Sequence, residues 1–283
     1  MSLLSHPAIA VLSALFVWWF STGVVLYIVR SCSWASRWSL LCAAALFAAG
    51  LYGLALSAVD TSVFGAYMAF AAALLVWGTQ EFAFLTGAIT GPSDSPCPPD
   101  CSGRRRAVLA FQAIFYHEVA LVLSGIAVAA VTWNSANQFG ASTFLILWVM
   151  RVSAKINLFL GVPILNQEFL PARLRYLASF FAQRPISPFF PFAVTGATAV
   201  ATLLVAQAFA GDASAFFRTG TMLLASLLAL GVLEHWFMVL PLPIAALWSW
   251  GLRSRDGRAC RSSAAALSAD ICVRSVVSET HDS

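Results

Sequence analysis

FGASTFLILWVMRVSAKINLFLGVPIL, residues 139–165, is an apolar run whose only charged side chains are Arg151 and Lys155. A helix needs about 20 mostly apolar residues to cross the hydrocarbon core of a bilayer, and this stretch exceeds that length. It is therefore read as a transmembrane helix that carries two cations inside the membrane. Outward from it, six further stretches meet the same criterion: 7–29, 38–59, 61–89, 107–132, 189–210 and 219–250. The expected fold is all-α, a seven-helix transmembrane bundle formed by residues 1–252. Residues 253–283 are Ser-, Ala- and Arg-rich without periodicity and are expected to form a disordered cytoplasmic tail.

Composition supports this class. Of 283 residues, 60% are hydrophobic and 10% charged, where a soluble domain carries roughly 25% charged residues. So few charges cannot cover a water-facing surface, and lipid must solvate most of the chain. The net charge of +4 is small and scattered, which excludes a nucleic-acid partner. The first helix is not a cleavable signal, because it has no basic n-region and too long an apolar run.

Orientation follows from the arginines. Arg30 and Arg37 follow the first helix, Arg104, Arg105 and Arg106 the third, Arg173, Arg175 and Arg184 the fifth, and Arg253, Arg255, Arg258 and Arg261 the seventh. The alternate connections hold Asp60, the segment WNSANQ at 133–138, and Asp212 with Arg218. The positive-inside rule then predicts N-out, C-in. Trp34, Trp38, Trp133, Trp248 and Trp250 fall near the expected helix ends, as an interfacial belt requires. In the loop 166–188, LPARLRYLASFF predicts a short amphipathic helix lying apolar side down on the cytoplasmic membrane surface. Pro241 and Pro243 are expected to break the seventh helix in its cytoplasmic third.

The six cysteines do not form a secreted disulfide framework. Cys97 and Cys101 form a C-x3-C pair, but no second pair or nearby histidine completes a zinc site.

Charges inside a membrane are costly and pair with one another or line a cavity. The titratable groups here are Glu81, His117, Glu118, Arg151, Lys155, Glu234 and His235, with Asn157 nearby. At about 1.5 Å of rise per residue, four helices place them at similar depth, on the cytoplasmic side of centre. Three readings fit such a layer. It is a buried ion-pair network that fixes helix packing, or a metal or tetrapyrrole site drawing on His117, His235, Glu81, Glu118 and Glu234, or a proton or ion path. Adjacent residues on a helix diverge by about 100°, so His117–Glu118 and Glu234–His235 cannot each bring both members to one ion. No nucleophile elbow, phosphate loop or dinucleotide fingerprint is present, and no catalytic residue is assigned.

Several blocks together resemble the PuhE-type family of photosynthetic complex assembly proteins of anoxygenic phototrophic bacteria. These are WWFSTG at 18–23, DTSVFGAYMAF at 60–70, LLVWGTQEFAFLTGAITGP at 74–92 and YHE at 116–118. TFLILWVMRVSAKINLFLGVPILNQEFLP at 143–171, LRYL at 174–177 and LEHWFMVLPLP at 233–243 complete them. The resemblance covers about residues 10–252. It implies a multi-pass protein of the bacterial inner (intracytoplasmic photosynthetic) membrane that assists assembly of the reaction-centre/light-harvesting complex. The expected partners are the lipid bilayer, nascent reaction-centre or light-harvesting subunits and other assembly factors; no cofactor is assigned, and bacteriochlorophyll and a divalent metal are the candidates. A metal-dependent membrane enzyme acting on bacteriochlorophyll or an isoprenoid is the second reading, and an ion-coupled transporter the third.

Overall fold

The computed structural model describes residues 3–31 and 37–252. Within them the chain is all-helical, and seven helices are long and apolar enough to span a membrane. These are α1 (Pro7–Ser31), α2 (Arg37–Ser57), α3 (Val63–Leu85), α4 (Gly103–Val131), α5 (Phe139–Leu160), α6 (Phe190–Ala208) and α7 (Ala215–Trp236). The seven-helix bundle expected from hydropathy is the fold. The C-terminal tail, Cys32, Trp34, Cys260 and Cys272 lie outside the described residues.

Local chemistry sets several helix ends. Ser62 and Ser214 cap α3 and α7, each hydroxyl accepting from a backbone N–H three residues on, Gly65 at 3.0 Å and Phe217 at 3.1 Å, which satisfies an otherwise orphaned donor. α5 stops at Gly161, whose φ of +135° is unfavourable for residues with a Cβ.

α3 and α7 form the middle of the bundle. α7 packs on α1, α3, α5 and α6, and α3 packs on α2, α5 and α7. Buried positions make up 67% of the α7 span but 6% of the α6 span, so α6 is a peripheral helix held mainly by α7. One apolar cluster joins α2, α3, α4 and α5 through Leu54, Val76, Leu121 and Phe144. A second joins α1, α3 and α7 through Ala14, Phe70 and Leu223.

The two ends of the bundle are tied differently. At one end Asn137 Nδ2 donates to the carbonyls of Ser57, Asp60 and Gly65, pinning the α4–α5 turn to the α2–α3 turn. At the other, three arginines staple loops to helix ends. Arg106 donates to the carbonyls of Phe159 and Phe180 at 3.0 and 2.6 Å, Arg173 to that of Thr86, and Arg30 to that of Glu168.

Three expectations change here. The seventh helix ends at Trp236 rather than 250, because the chain has to turn before Pro241 and Pro243, which cannot supply helical N–H donors. Residues 244–252 then fold back as short turns against α1. Trp248 and Trp250 therefore pack on the bundle instead of forming a belt: Trp248 Nε1 donates to Trp19 O at 2.9 Å, and the Trp250 ring fills the space beside Gly23. The amphipathic segment is a 3₁₀ helix, Ala172–Phe180. Its apolar stripe of Leu174, Leu177 and Phe180 follows the three-residue period of that helix, and it packs against Phe84 and Ala113 of α3 and α4. Protein, not lipid, covers that stripe.

Candidate functional site

The titratable layer is built around α5. Arg151 and Lys155 are one turn apart and share a face, while Ser153 between them points the other way. Three neighbouring helices meet these positions. Arg151 Nη2 lies 2.7 Å from Glu81 Oε2 on α3, Lys155 pairs with Glu118 on α4, and Ser153 Oγ lies 2.8 Å from His235 Nε2 on α7. Contacts at three alternate residues of one helix place these groups within about one turn, ~6 Å of rise, along α5.

The pairing balances charge, two carboxylates against two cations. Lys155, Glu118 and Glu81 are largely buried, while the Arg151 side chain stays 37% exposed. Such pairs offset much of the desolvation cost of the separate ions. Asn157 extends the layer toward the next loop. Its Nδ2 donates to Ser153 O at 3.0 Å and its Oδ1 accepts from Ser187 Oγ at 2.8 Å.

The two histidines are placed differently. His235 has both ring nitrogens engaged, with Nδ1 2.8 Å from Gly231 O. A carbonyl can only accept, so Nδ1 carries the proton and Nε2 accepts from the Ser153 hydroxyl. His117 is fully buried, yet neither ring nitrogen has a hydrogen-bond partner. Its Nε2 stands 3.8 Å from Glu81 Oε1, itself unpartnered, and the Phe84 ring lies over it at 4.4 Å between centroids. The backbone holds this histidine from outside: its N–H donates to Thr90 O at 2.9 Å. A Cβ on Gly91 would come within 1.9 Å of Gln112 O, so only glycine permits that crossing.

Glu234 departs from its neighbour, as the helical divergence requires. It lies on the exposed surface of α7 and accepts from Trp18 Nε1 of α1 at 2.6 Å. No second hydrogen bond to this carboxylate occurs among the described residues.

Of the expected metal donors, the structure brings Glu81 and His117 together and holds Glu118, Glu234 and His235 apart on other partners. Among the described residues no three His, Cys, Asp or Glu side chains converge on one point, whereas protein zinc sites use three or four ligands. Cys97 and Cys101 lie side by side, and burial together with the neighbouring thiol pushes the Cys97 thiol up.

Trp18, Ser153 and Ser187 complete the layer and are not among the expected site residues. A mid-helix tryptophan is the legible signal for the first, since a buried indole N–H usually finds an acceptor.

The chain matches the family described as "Protein of unknown function (DUF3623)" over residues 4–259 and belongs to that family. It is 40% identical over 255 residues to the "Uncharacterized 30.4 kDa protein in puhA 5'region" of Rhodobacter capsulatus, an alignment covering 89% of this chain and 93% of that protein. No solved structure matches it.

Proposed function

We propose that this member of the family is an assembly factor for the photosynthetic reaction-centre/light-harvesting complex, binding nascent subunits within the membrane. The Rhodobacter capsulatus relative, named for its place in the 5' region of puhA, carries the reading. It agrees with the family resemblance and with a multi-pass bundle.

The geometry favours a partner that docks from the side over one that enters the layer. Glu81, Glu118, Arg151 and Lys155 already satisfy one another, and His117 is sealed beneath Phe84. Glu234 lies on the exposed surface of α7 with the Trp18 indole N–H as its one hydrogen-bond partner among the described residues, and intramembrane carboxylates are expensive without further partners. A transmembrane segment bringing a cation or a hydrogen-bond donor to the α1/α7 seam would supply one. A metal-dependent enzyme has less support, because the donor pair Glu81–His117 lacks a third member. Bacteriochlorophyll delivered along the same outer seam belongs to this reading as cargo.

Deleting the gene tests the role. Reaction-centre or core-antenna absorbance should fall while respiratory growth continues, and complementation with Glu234→Leu should restore less absorbance than the wild-type gene. Unchanged near-infrared absorbance in the deletion strain overturns the proposal.

A further inference from the structure

At the end of the bundle away from the charged layer, α5, α6 and α7 diverge around a cavity of about 290 Å³. That is near the lower bound of pockets that hold small organic ligands, ~300 Å³. We infer that this cleft is a binding site for an uncharged, ring-headed membrane lipid of the quinone class, separate from the layer around α5.

The polar groups that reach the cleft are neutral. Thr221, a hydroxyl-bearing residue only 1% exposed, lines it. Ser142 and Gln207 bring a second hydroxyl and an amide to the same space. Gln138 also lines the cleft, and its amide nitrogen is engaged by the carbonyls of Thr132 and Ser135 at 2.6 and 3.0 Å, which leaves its oxygen as the acceptor. Donors of this kind suit ring carbonyls, and the Gln138 oxygen suits a ring hydroxyl, so oxidised and reduced heads both find partners.

The walls fit a planar ring. Phe139 and Phe216 meet edge to face with centroids 5.1 Å apart and line the cleft with apolar side chains of α6 and α7. α6 touches little beyond α7, so an isoprenoid or acyl tail can leave between α5 and α6 into lipid.

The charges nearby argue against an anionic headgroup. An adjoining hollow of about 390 Å³ shares Gln207 with the cleft and carries Asp212 at the α6–α7 turn. Arg218, the cation of that turn, is occupied by the carbonyls of Ala208 and Ala213 at 3.2 and 3.3 Å. A phosphate would meet a carboxylate and no free cation.

The test uses the full-length protein in zwitterionic-lipid nanodiscs, photolabelled with an azido derivative of decylubiquinone. Labelled peptides should map to α5, α6 and α7, and unlabelled decylubiquinone should compete while phosphatidylglycerol does not. Thr221→Val, nearly isosteric, should weaken apparent affinity about tenfold, the equivalent of one hydrogen bond. Leu204→Trp, which fills the cleft from the peripheral helix, should abolish labelling there with the melting temperature unchanged. Labelling spread evenly over lipid-facing helices, competition by phosphatidylglycerol alone, or equal labelling in both variants overturns the assignment. None of these readouts depends on photosynthetic complex levels, so this site and the assembly role fail independently.

Discussion

Lys155 and Glu118 pair across α5 and α4 with both side chains largely buried, one turn of α5 from the Arg151–Glu81 pair. Four charges on three helices thus neutralise locally, and the bundle carries them in the bilayer as two short dipoles instead of four ions.

Breaking one pair leaves an ion without its partner. Lys155→Met strands Glu118, and truncating one member of a buried pair costs about 3–5 kcal/mol. The variant should accumulate in membranes at a small fraction of the wild-type level. Lys155→Met/Glu118→Leu, which removes both charges, should recover much of the loss, because apolar replacement of a whole buried pair is often neutral or stabilising. Quantitative immunoblotting of membranes measures both. A double variant as poor as the single would show that the pair does more than cancel charge.

The two histidines should respond in opposite directions. His235→Leu leaves Ser153 Oγ and Gly231 O without their bonds, a loss of about 1–3 kcal/mol. His117→Leu removes two ring nitrogens that have no partners, so its effect on thermal stability in detergent should be near zero or positive. If His117→Leu melts lower than His235→Leu, the hydrogen-bond assignments around both residues are wrong.

Gly91→Ala probes how the loop after α3 is pressed onto α4. The added Cβ would meet the Gln112 carbonyl at 1.9 Å, and backbone cannot swing aside as a side chain can. Residues 86–92 must lift, losing the His117 N–H to Thr90 O bond, at a cost of about 1–3 kcal/mol. Limited proteolysis should then cut the α3–α4 loop faster than in the wild type. Equal cleavage rates would mean that the crossing is looser than it stands here.

What was legible in the sequence follows from which signals are local. Seven apolar runs interrupted by few charges name the spans, and Arg151 and Lys155 at i, i+4 state that one face of α5 meets carboxylates. The divergence of Glu234 from His235 is also readable, because it depends on helix geometry alone. Which glutamate meets which cation is not, since Glu81 and Glu118 both lie within reach in depth and tertiary packing chooses. The 3₁₀ form of Ala172–Phe180 escaped for a related reason. Leu174, Leu177 and Phe180 fit an α-helical stripe nearly as well as a three-residue one, and Phe84 and Ala113 beneath them are far away in sequence. The end of α7 is only partly legible: Pro241 and Pro243 mark a break within 219–250, but apolar residues continue past them, so hydropathy persists where the helix cannot.

Orientation joins a sequence rule to an observed arrangement. Arg30, Arg106, Arg173 and Arg184 come from three different connections, and the structure gathers them at one end of the bundle. Arg106 joins the start of α4 to the end of α5 through Phe159 O, Arg173 reaches the end of α3 through Thr86 O, and Arg184 N bonds Val162 O just past α5. Asp60 and Asn137 meet at the other end. Short arginine-rich connections resist translocation, so the arginine end should face the cytoplasm. A cytoplasm-active reporter fused after Arg106 or Arg184 should be active, and one fused after Asn137 inactive. The reverse pattern would put the charged layer in the periplasmic half and the α5–α6–α7 cleft in the cytoplasmic half, with any partner of Glu234 approaching at that depth.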